Sequence, residues 1–456
     1  MRRFGSWSFY REALSIALPV MLQQLITSMV SLIDNFMVAG LGDVSMAAVN
    51  ISNQLTFISI VIINVICGAG GIYLAQYKGA YNRDGMKDSF RFKALFSQIA
   101  ALLYFCLCWT IPEKMIGMMI MGNAAKAELA AAGVSYLRIS AFAIFPMALS
   151  MAIGSSFRET GTPKIPLIVS AAATLVNTAG NWLLIYGNMG APTLGVRGAA
   201  AATVIARVIE AAVFLIYVSW KQPDFYASLT TLLHINKKLV RDIVIRSVMM
   251  FLSELSWISS ETIMVALYNG RGGAETVAGM AAGNTIANIF YLLFGGIWTV
   301  SAVIIGGALG AEKLDEARVK ARWIQSGSII GGIVIAVTGA GVAALLVPLV
   351  FSNLTANARV ISLGFIFVIL VYMPLWCLLN AQFAISRSGG DAAMGMYADV
   401  SVNTLIFVPG AFLLAFFTRL GPVAMFAILK TSDIAKYFVA RHFFNKERWV
   451  RNLTDA

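Results

Sequence analysis

The chain has 456 residues, of which 59% are hydrophobic and only 12% are charged, whereas soluble domains carry roughly 25% charged residues, so this composition excludes an ordinary soluble domain. The net charge of +12 could indicate a nucleic-acid partner. However, the lysines and arginines lie mainly in short segments between apolar runs and at the two ends of the chain, which indicates membrane orientation and no nucleic-acid partner.

Twelve apolar runs follow one another along almost the whole chain. Each is about 20 residues or longer, which as an α-helix is enough to cross a hydrocarbon core of roughly 30 Å. Glycine and proline mark many of their ends, as at Gly40, Pro112 and Gly187. We predict an all-α polytopic membrane protein with twelve transmembrane helices, near residues 13–38, 47–77, 92–111, 129–156, 165–187, 197–219, 242–268, 277–308, 323–350, 360–385, 393–418 and 422–440.

The distribution of lysine and arginine predicts how these helices are oriented. Of the 34 basic residues, 24 lie in one alternate set of loops and at the termini, and 6 lie in the other set. Cytoplasmic loops are the ones enriched in lysine and arginine. We therefore expect both termini in the cytoplasm, an even number of crossings, and a bacterial-type inner membrane as the location.

The two halves of the chain resemble each other. Residues 43–87 lie over residues 274–318 without a gap, and in this overlay Asn53 meets Asn284. Each half has six predicted helices, so both halves start on the same side of the membrane and the repeat is parallel. We predict two six-helix bundles around a central cleft: an N-terminal bundle at 1–219, a cytoplasmic linker at 220–239, a C-terminal bundle at 240–441 and a cytoplasmic tail at 442–456.

Four carboxylates fall inside predicted helices without an obvious basic neighbour on the same helix: Asp34, Glu254, Glu261 and Asp399. A charge at the middle of a bilayer costs roughly 2.5–3.5 kcal/mol, so such a residue normally faces a cavity or a partner. A cation that binds a protonated carboxylate must displace the proton, so one such group can exchange H⁺ for Na⁺ or for a cationic substrate. We predict that these four residues carry the coupling cation, with Glu254 as the candidate Na⁺ ligand. Structural hydrogen bonds are the alternative, and for Asp399 an ion pair with Arg387 or Arg246.

Two further pairs of opposite charges inside the predicted helices have both members on the same helix. Arg207 and Glu210 are three residues apart, as are Lys430 and Asp433. Opposite charges at this spacing meet on the surface of a helix. We expect both to form self-neutralised pairs.

Polar and aromatic side chains at helical spacing predict the lining of a substrate cavity. Asparagines recur on the second and eighth helices, and another asparagine lies one turn after Asp399 on the eleventh. Aromatic and methionine side chains form adaptable apolar pockets. Helix–helix hydrogen bonds and core packing are the alternatives. The cavity candidates from this pattern are Asn53, Asn284, Asn403 and Tyr291.

Several short motifs, taken in order, resemble multidrug and toxic compound extrusion (MATE) transporters of the MOP flippase superfamily. They include Ala-Leu-Pro19 in the first helix, Asp34-Asn35 near its end, and Gly195-Val-Arg-Gly before the sixth helix. The resemblance covers roughly residues 10–440. It implies an antiporter of twelve helices in two bundles that expels organic cations or other amphipathic compounds in exchange for Na⁺ or H⁺.

The resemblance also implies roles for particular residues. In the NorM-like branch a glutamate on the seventh helix serves the cation, and Glu254 matches its position. In the branch resembling DinF, protons are handled by a first-helix aspartate, here Asp34, and by an Asn-to-Asp pair on the fifth helix. The fifth helix here carries Asn177 and Asn181, with asparagine where that aspartate would stand. Both asparagines join the cavity candidates.

The sequence thus predicts a secondary active efflux transporter that works by alternating access and is not an enzyme. A Gly-x4-Gly-Lys-Ser/Thr loop is absent from the sequence, which argues against an ATP-driven pump. The expected partners are a small-molecule substrate, the coupling cation and membrane lipid, with no cofactor beyond Na⁺ or H⁺, and we expect a monomer. A lipid or oligosaccharide precursor flippase of the same superfamily is the alternative, followed by an ion channel.

Overall fold

The computed structural model describes residues 4–120, 126–271 and 273–454, and its regular structure is helical. Arg2 and Arg3, which contribute to the predicted orientation, lie outside the described residues, as do the last two residues of the predicted tail. The α-helices are α1 Trp7–Ala39, α2 Asp43–Gly79, α3 Arg83–Thr110, α4 Pro112–Met119, α5 Lys126–Ser140, α6 Ile144–Glu159, α7 Lys164–Tyr186, α8 Val196–Lys221, α9 Lys237–Arg271, α10 Gly273–Ser301, α11 Gly307–Gly310, α12 Leu314–Val350, α13 Ala356–Ser388, α14 Ala393–Val402, α15 Val408–Phe417, α16 Pro422–Lys430 and α17 Ser432–Phe444.

Eleven helical segments within these residues are long and apolar enough to cross a membrane. Three of them join two α-helices through a short irregular turn. A 3₁₀ turn at Ala141–Ala143 joins α5 to α6, and π-helical turns at Ala302–Gly306 and Asn403–Phe407 join α10 to α11 and α14 to α15. The second π turn comes just before Pro409, which has no N–H to donate to the carbonyl four residues earlier, so the regular hydrogen-bond ladder is interrupted there.

The twelfth predicted helix is broken in two. It corresponds to α16 and α17, which are 9 and 13 residues long, too short to cross a membrane separately. At the break the Thr431 N–H donates to the Ile428 carbonyl three residues earlier, as in a tight last turn. The break falls among polar residues, Lys430 to Asp433, which interrupt the apolar run.

The described residues form two compact units. One, the N-terminal unit, is Leu22–Val244. The other, the C-terminal unit, combines Met1–Met21 with Ile245–Ala456. Helices α1 and α9 therefore contribute residues to both. The division into bundles, linker and tail proposed from the sequence stays a prediction.

The predicted linker and tail both pack against helices of their own unit. In the linker, Phe225 is 1% exposed and its ring lies 5.1 Å from that of Phe157 on α6. In the tail, Trp449 is 2% exposed and stacks on Phe444. Arg451 donates hydrogen bonds to the carbonyls of Gly389 and Gly390 in the α13–α14 turn, both at 3.0 Å.

A fully buried ion pair joins α3 to α6 inside the N-terminal unit. Lys93 Nζ lies 2.6 Å from Glu159 Oε2, and the Lys93 side chain is 0% exposed. The pair fits because α2 has glycine at positions 70 and 71, where any Cβ would collide with the side chains of Lys93 and Glu159. Lys93 is one of the 24 basic residues that were counted with the loops and termini. It lies instead within α3, where a carboxylate from another helix compensates its buried charge.

Candidate functional site

The four predicted coupling carboxylates are divided between the two units. Asp34 lies on α1 in the N-terminal unit. Glu254 and Glu261 lie on α9, and Asp399 lies on α14, all in the C-terminal unit. They differ in whether a lysine or arginine side chain pairs with the carboxylate. This difference matters for cation exchange.

Asp34 is held by amides from α7. Asn181 Nδ2 donates to Asp34 Oδ1 at 2.8 Å. The amide of Asn177 fits in two orientations: its nitrogen donates either to Thr203 Oγ1 on α8 at 3.4 Å or to Asp34 Oδ2 at 2.7 Å. Both asparagines are buried, and their spacing of four residues puts both amides on one face of α7. We call Asp34, Asn177, Asn181 and Thr203 the Asp34 cluster.

The two orientations of the Asn177 amide suit two protonation states of Asp34. When the nitrogen faces Asp34, the carboxylate accepts from two amides, which suits the ionised form. When the amide oxygen faces Asp34, a hydrogen bond forms only if the carboxyl carries a proton to donate. The cluster can therefore satisfy Asp34 in either state by turning one amide.

Asp34 has no salt bridge to any basic side chain in the described part of the chain. Arg207 on α8 is engaged elsewhere: its Nη1 lies 2.7 Å from Glu210 Oε2, so the predicted Arg207–Glu210 pair is confirmed. Ser170 Oγ donates to the other oxygen of Glu210 at 2.9 Å. Asp34 itself is half-buried, so it remains accessible to a cation.

Asn53, a cavity candidate on α2, lies beside the Asp34 cluster. Its Oδ1 accepts a hydrogen bond from the hydroxyl of Tyr136 on α5 at 3.3 Å. Tyr136 also interacts with Thr203 of the cluster. Polar side chains from α1, α2, α5, α7 and α8 thus meet within the N-terminal unit.

Glu254 in the C-terminal unit pairs with Arg387 on α13. The distance from Glu254 Oε1 to Arg387 Nη1 is 3.4 Å. The guanidinium also lies over the ring of Trp298, 4.6 Å from its centroid, an attractive cation–π geometry. Arg387 Nε has no hydrogen-bond partner among the described atoms.

Asp399 pairs with Lys436 on α17. Lys436 Nζ lies 3.1 Å from Asp399 Oδ1 and 3.6 Å from Asp433 Oδ1, so one ammonium serves two carboxylates. Ser253 Oγ donates to Asp399 Oδ2. Asn403, one turn further along, donates to Ser256 Oγ at 3.2 Å and so belongs to the same group of side chains.

Glu261 pairs with Lys430, the last residue of α16. Lys430 Nζ lies 2.5 Å from Glu261 Oε1. Three aromatic rings surround the ammonium at 5.3–5.6 Å from their centroids: Trp376, Phe407 and Phe426. We call the pairs centred on Glu254, Asp399 and Glu261 the C-terminal ion-pair network.

The expected pairing of Lys430 with Asp433 is wrong. Lys430 pairs with Glu261 on α9, and Asp433 contacts Lys436 and the indole N–H of Trp376, at 2.8 Å. Spacing along a sequence predicts contacts only within one continuous helix, and here a break separates α16 from α17. Lys430 and Lys436 were not predicted as partners of these carboxylates, although both lie within the last apolar run. Arg387, expected as an alternative partner of Asp399, pairs with Glu254.

The two remaining cavity candidates lie on α10 in the C-terminal unit. Asn284 is exposed on α10, and the ring of Tyr291 lies 6.2 Å from that of Trp376. No three histidine, cysteine, aspartate or glutamate side chains converge as metal ligands in the described ranges. A Na⁺ at Glu254 would share its carboxylate with Arg387. The roles of these residues in coupling or in the cavity stay predictions.

The chain is similar to known proteins in both sequence and fold. The chain is similar to "Uncharacterized transporter YisQ" of Bacillus subtilis, 26% identical over 66% of this chain, and spans 65% of that relative's length. It is also similar to "Probable multidrug resistance protein NorM" of Photorhabdus laumondii, 25% identical over 91% of this chain and 90% of that one. A crystal structure of MATE in complex with MaL6 has the same fold, with a TM-score of 0.84 at 17% identity over 96% of each chain.

The MatE family model matches the chain twice, at residues 19–183 and 248–413, once in each half. The chain therefore belongs to the MATE family of transporters. The resemblance and the all-α polytopic fold predicted from the sequence are confirmed, as is the prediction of a transporter family and not an enzyme family. The protein is a multi-pass membrane protein whose family acts on small molecules.

Proposed function

We propose that the protein exports small organic cations in exchange for protons, and that Asp34 is the group that exchanges one for the other. One observation carries this proposal: among the four predicted coupling carboxylates, Asp34 is the one without a salt bridge in the described chain. An unpaired carboxylate can bind either a proton or another cation. Amide ligands that suit both forms let Asp34 keep its hydrogen bonds during the exchange.

The C-terminal ion-pair network is less suited to this task. Each of its three predicted carboxylates already has an ammonium or guanidinium within 3.4 Å. A Na⁺ or a cationic substrate would have to displace that base, and breaking a partly buried ion pair leaves an uncompensated charge. We infer that the network stabilises the C-terminal unit.

The direction of transport follows from the predicted orientation, with both termini in the cytoplasm of a bacterial-type cell. The proton gradient across an inner membrane drives protons inward, so Asp34 would take up a proton from the outside and release it inside. The substrate would bind the ionised carboxylate from the cytoplasmic side. Alternating access prevents both cations from occupying the site together.

The test is transport of ethidium, a fluorescent organic cation, by the purified protein in proteoliposomes. A proton gradient alone should drive transport and a Na⁺ gradient alone should not, while Asp34→Asn should abolish proton-driven transport. Asp43→Asn is the matched control, because it removes an exposed carboxylate from the first turn of α2. Transport driven by Na⁺ alone, or transport by Asp34→Asn equal to that of the control, would contradict the proposal.

A further inference from the structure

A cavity of about 250 Å³ lies in the C-terminal unit, and its lining includes none of the four predicted coupling carboxylates. It is formed where α9 ends, α10 begins and the α15–α16 loop leads into α16. Its polar side chains come from Tyr268, Thr276 and Arg419, and the wall is completed by Leu420, Gly421, Pro422 and Met425. The volume suits a small group, since a water molecule occupies about 30 Å³.

Two buried hydroxyl groups line this cavity. Tyr268 is 2% exposed, and its hydroxyl has no hydrogen-bond partner among the described atoms. Thr276 is 3% exposed. Native structures rarely leave a buried polar atom unpaired, because the lost hydrogen bond is costly. The Tyr268 hydroxyl is therefore available to donate to a group bound in the cavity.

Two helices begin at the cavity. Thr276 lies in the first turn of α10, a helix of 29 residues. Gly421 is the N-cap of α16, which has no side-chain cap, and Pro422 is its first residue. The first N–H groups of a helix have no partner within it, and its N-terminal end carries a partial positive charge. Both helix ends therefore favour an anion at this place.

Among the described residues that line the cavity, the one charged side chain is basic. The exposed Arg419 lines it and forms no salt bridge in the part of the chain that the structure describes. Glu275, next to Thr276, does not line it: this carboxylate accepts from Asn357 Nδ2 on α13 at 2.6 Å. Glu261, two turns before Tyr268 on α9, is neutralised by Lys430.

We propose that this cavity binds a phosphate group, supplied by the headgroup of an anionic phospholipid or by a free phosphate. A guanidinium, hydroxyl donors and helix N-termini together form the typical environment for a phosphate oxygen. Phe416 and Phe417, at the end of α15, are 71% and 82% exposed and lie just before Arg419 in the chain. They offer an apolar surface for acyl chains beside the headgroup. This inference does not depend on the proposed coupling mechanism.

The test measures lipid retention by native mass spectrometry of the full-length protein, purified from nanodiscs containing phosphatidylglycerol and phosphatidylcholine. The wild type should retain phosphatidylglycerol selectively. Arg419→Gln and Tyr268→Phe should each weaken this retention about tenfold, the effect of removing one hydrogen bond to a charged group. Lys114→Gln, which removes an exposed charge from α4 in the other unit, should leave retention unchanged.

A second arm adds inorganic phosphate alone to the delipidated protein and follows thermal unfolding. A phosphate-dependent rise in melting temperature that Arg419→Gln removes would support the proposal with a free phosphate as ligand. Selective lipid retention without that rise would support it with the lipid as ligand. Equal phosphatidylglycerol retention in the wild type and in both cavity variants, together with no phosphate effect, would overturn the proposal.

Discussion

Several buried charged residues in this chain are compensated by a partner from another helix. Lys93 illustrates this in the N-terminal unit, where its only carboxylate partner in the described contacts is Glu159. Arg387, Lys430 and Lys436 play the same part in the C-terminal unit. Asp34 departs from the pattern, which is why we assign the exchange of cations to it.

Replacing Lys93 with methionine should destabilise the protein strongly. The substitution leaves the Glu159 carboxylate buried without its base, which typically costs about 3–5 kcal/mol. The double variant Lys93→Met with Glu159→Gln should recover part of the loss, because it removes the uncompensated charge. Thermal unfolding in detergent measures both effects. Arg83→Gln, which breaks an exposed pair with Asp224, should change stability far less, and an equal effect in Arg83→Gln and Lys93→Met would contradict this expectation.

Replacing Glu254 with glutamine should lower stability and leave proton-driven transport in place. The substitution removes the partner of the Arg387 guanidinium, and a second change, Arg387→Gln, should restore part of the stability. Ethidium transport and thermal unfolding, measured on the single and double variants, separate the two roles. Loss of transport in a stable Glu254→Gln protein would show that the glutamate carries the coupling cation, as the family resemblance implies.

At the scale of helices, a break and a π turn bring together the side chains of the C-terminal ion-pair network. Asn403 and Phe407 lie at the two ends of the π turn before Pro409, and they contact Ser256 and Lys430, respectively. The break between α16 and α17 lets Lys430 and Lys436 reach different acids. In an unbroken twelfth helix these two lysines, which are six residues apart, would lie on different faces of the same helix.

Removing Trp449 should destabilise the C-terminal unit. Its ring is buried against Phe444, and truncation of a buried tryptophan to alanine costs about 3–5 kcal/mol. The measurement is the melting temperature of Trp449→Ala in detergent. Trp220→Ala is the control, because Trp220 is 73% exposed. Equal melting temperatures for the two variants would show that the tail does not stabilise the unit.

The length of apolar runs predicted most of the helices, since crossing a membrane requires about 20 such residues. The length of the last apolar run did not predict the break at Thr431, because a few polar residues within such a run are also compatible with one long helix. Among the candidate residues, Asp34 and the two α7 asparagines were identified and are in contact. The ion pairs could not be assigned from spacing along the sequence, because each base comes from a helix distant in sequence from its carboxylate.

At the scale of the whole molecule, two matches to one family model place a similar unit in each half of the chain. The polar centres of the two units nevertheless differ. The N-terminal unit presents an unpaired carboxylate with amide ligands, whereas the C-terminal unit presents paired charges. A repeated fold therefore carries two different kinds of polar site.

The orientation of the chain can be tested with single cysteines. The four native cysteines, at 67, 106, 108 and 377, are first replaced by alanine. A cysteine at Ser228, in the loop after α8, should react with a membrane-impermeant maleimide only in inside-out vesicles. A cysteine at Met189, in the loop after α7, should react in intact cells. The opposite pattern would reverse the predicted orientation.

The most direct test of proton exchange at Asp34 is proton release on substrate binding. Purified protein in weakly buffered detergent is mixed with ethidium, and released protons are followed with a pH-sensitive dye. The wild type should release about one proton per bound cation, and Asp43→Asn should do the same, because a protonated Asp34 gives up its proton when the cation binds. Asp34→Asn should release none. Undiminished proton release by a folded Asp34→Asn variant would contradict the assignment of exchange to this residue.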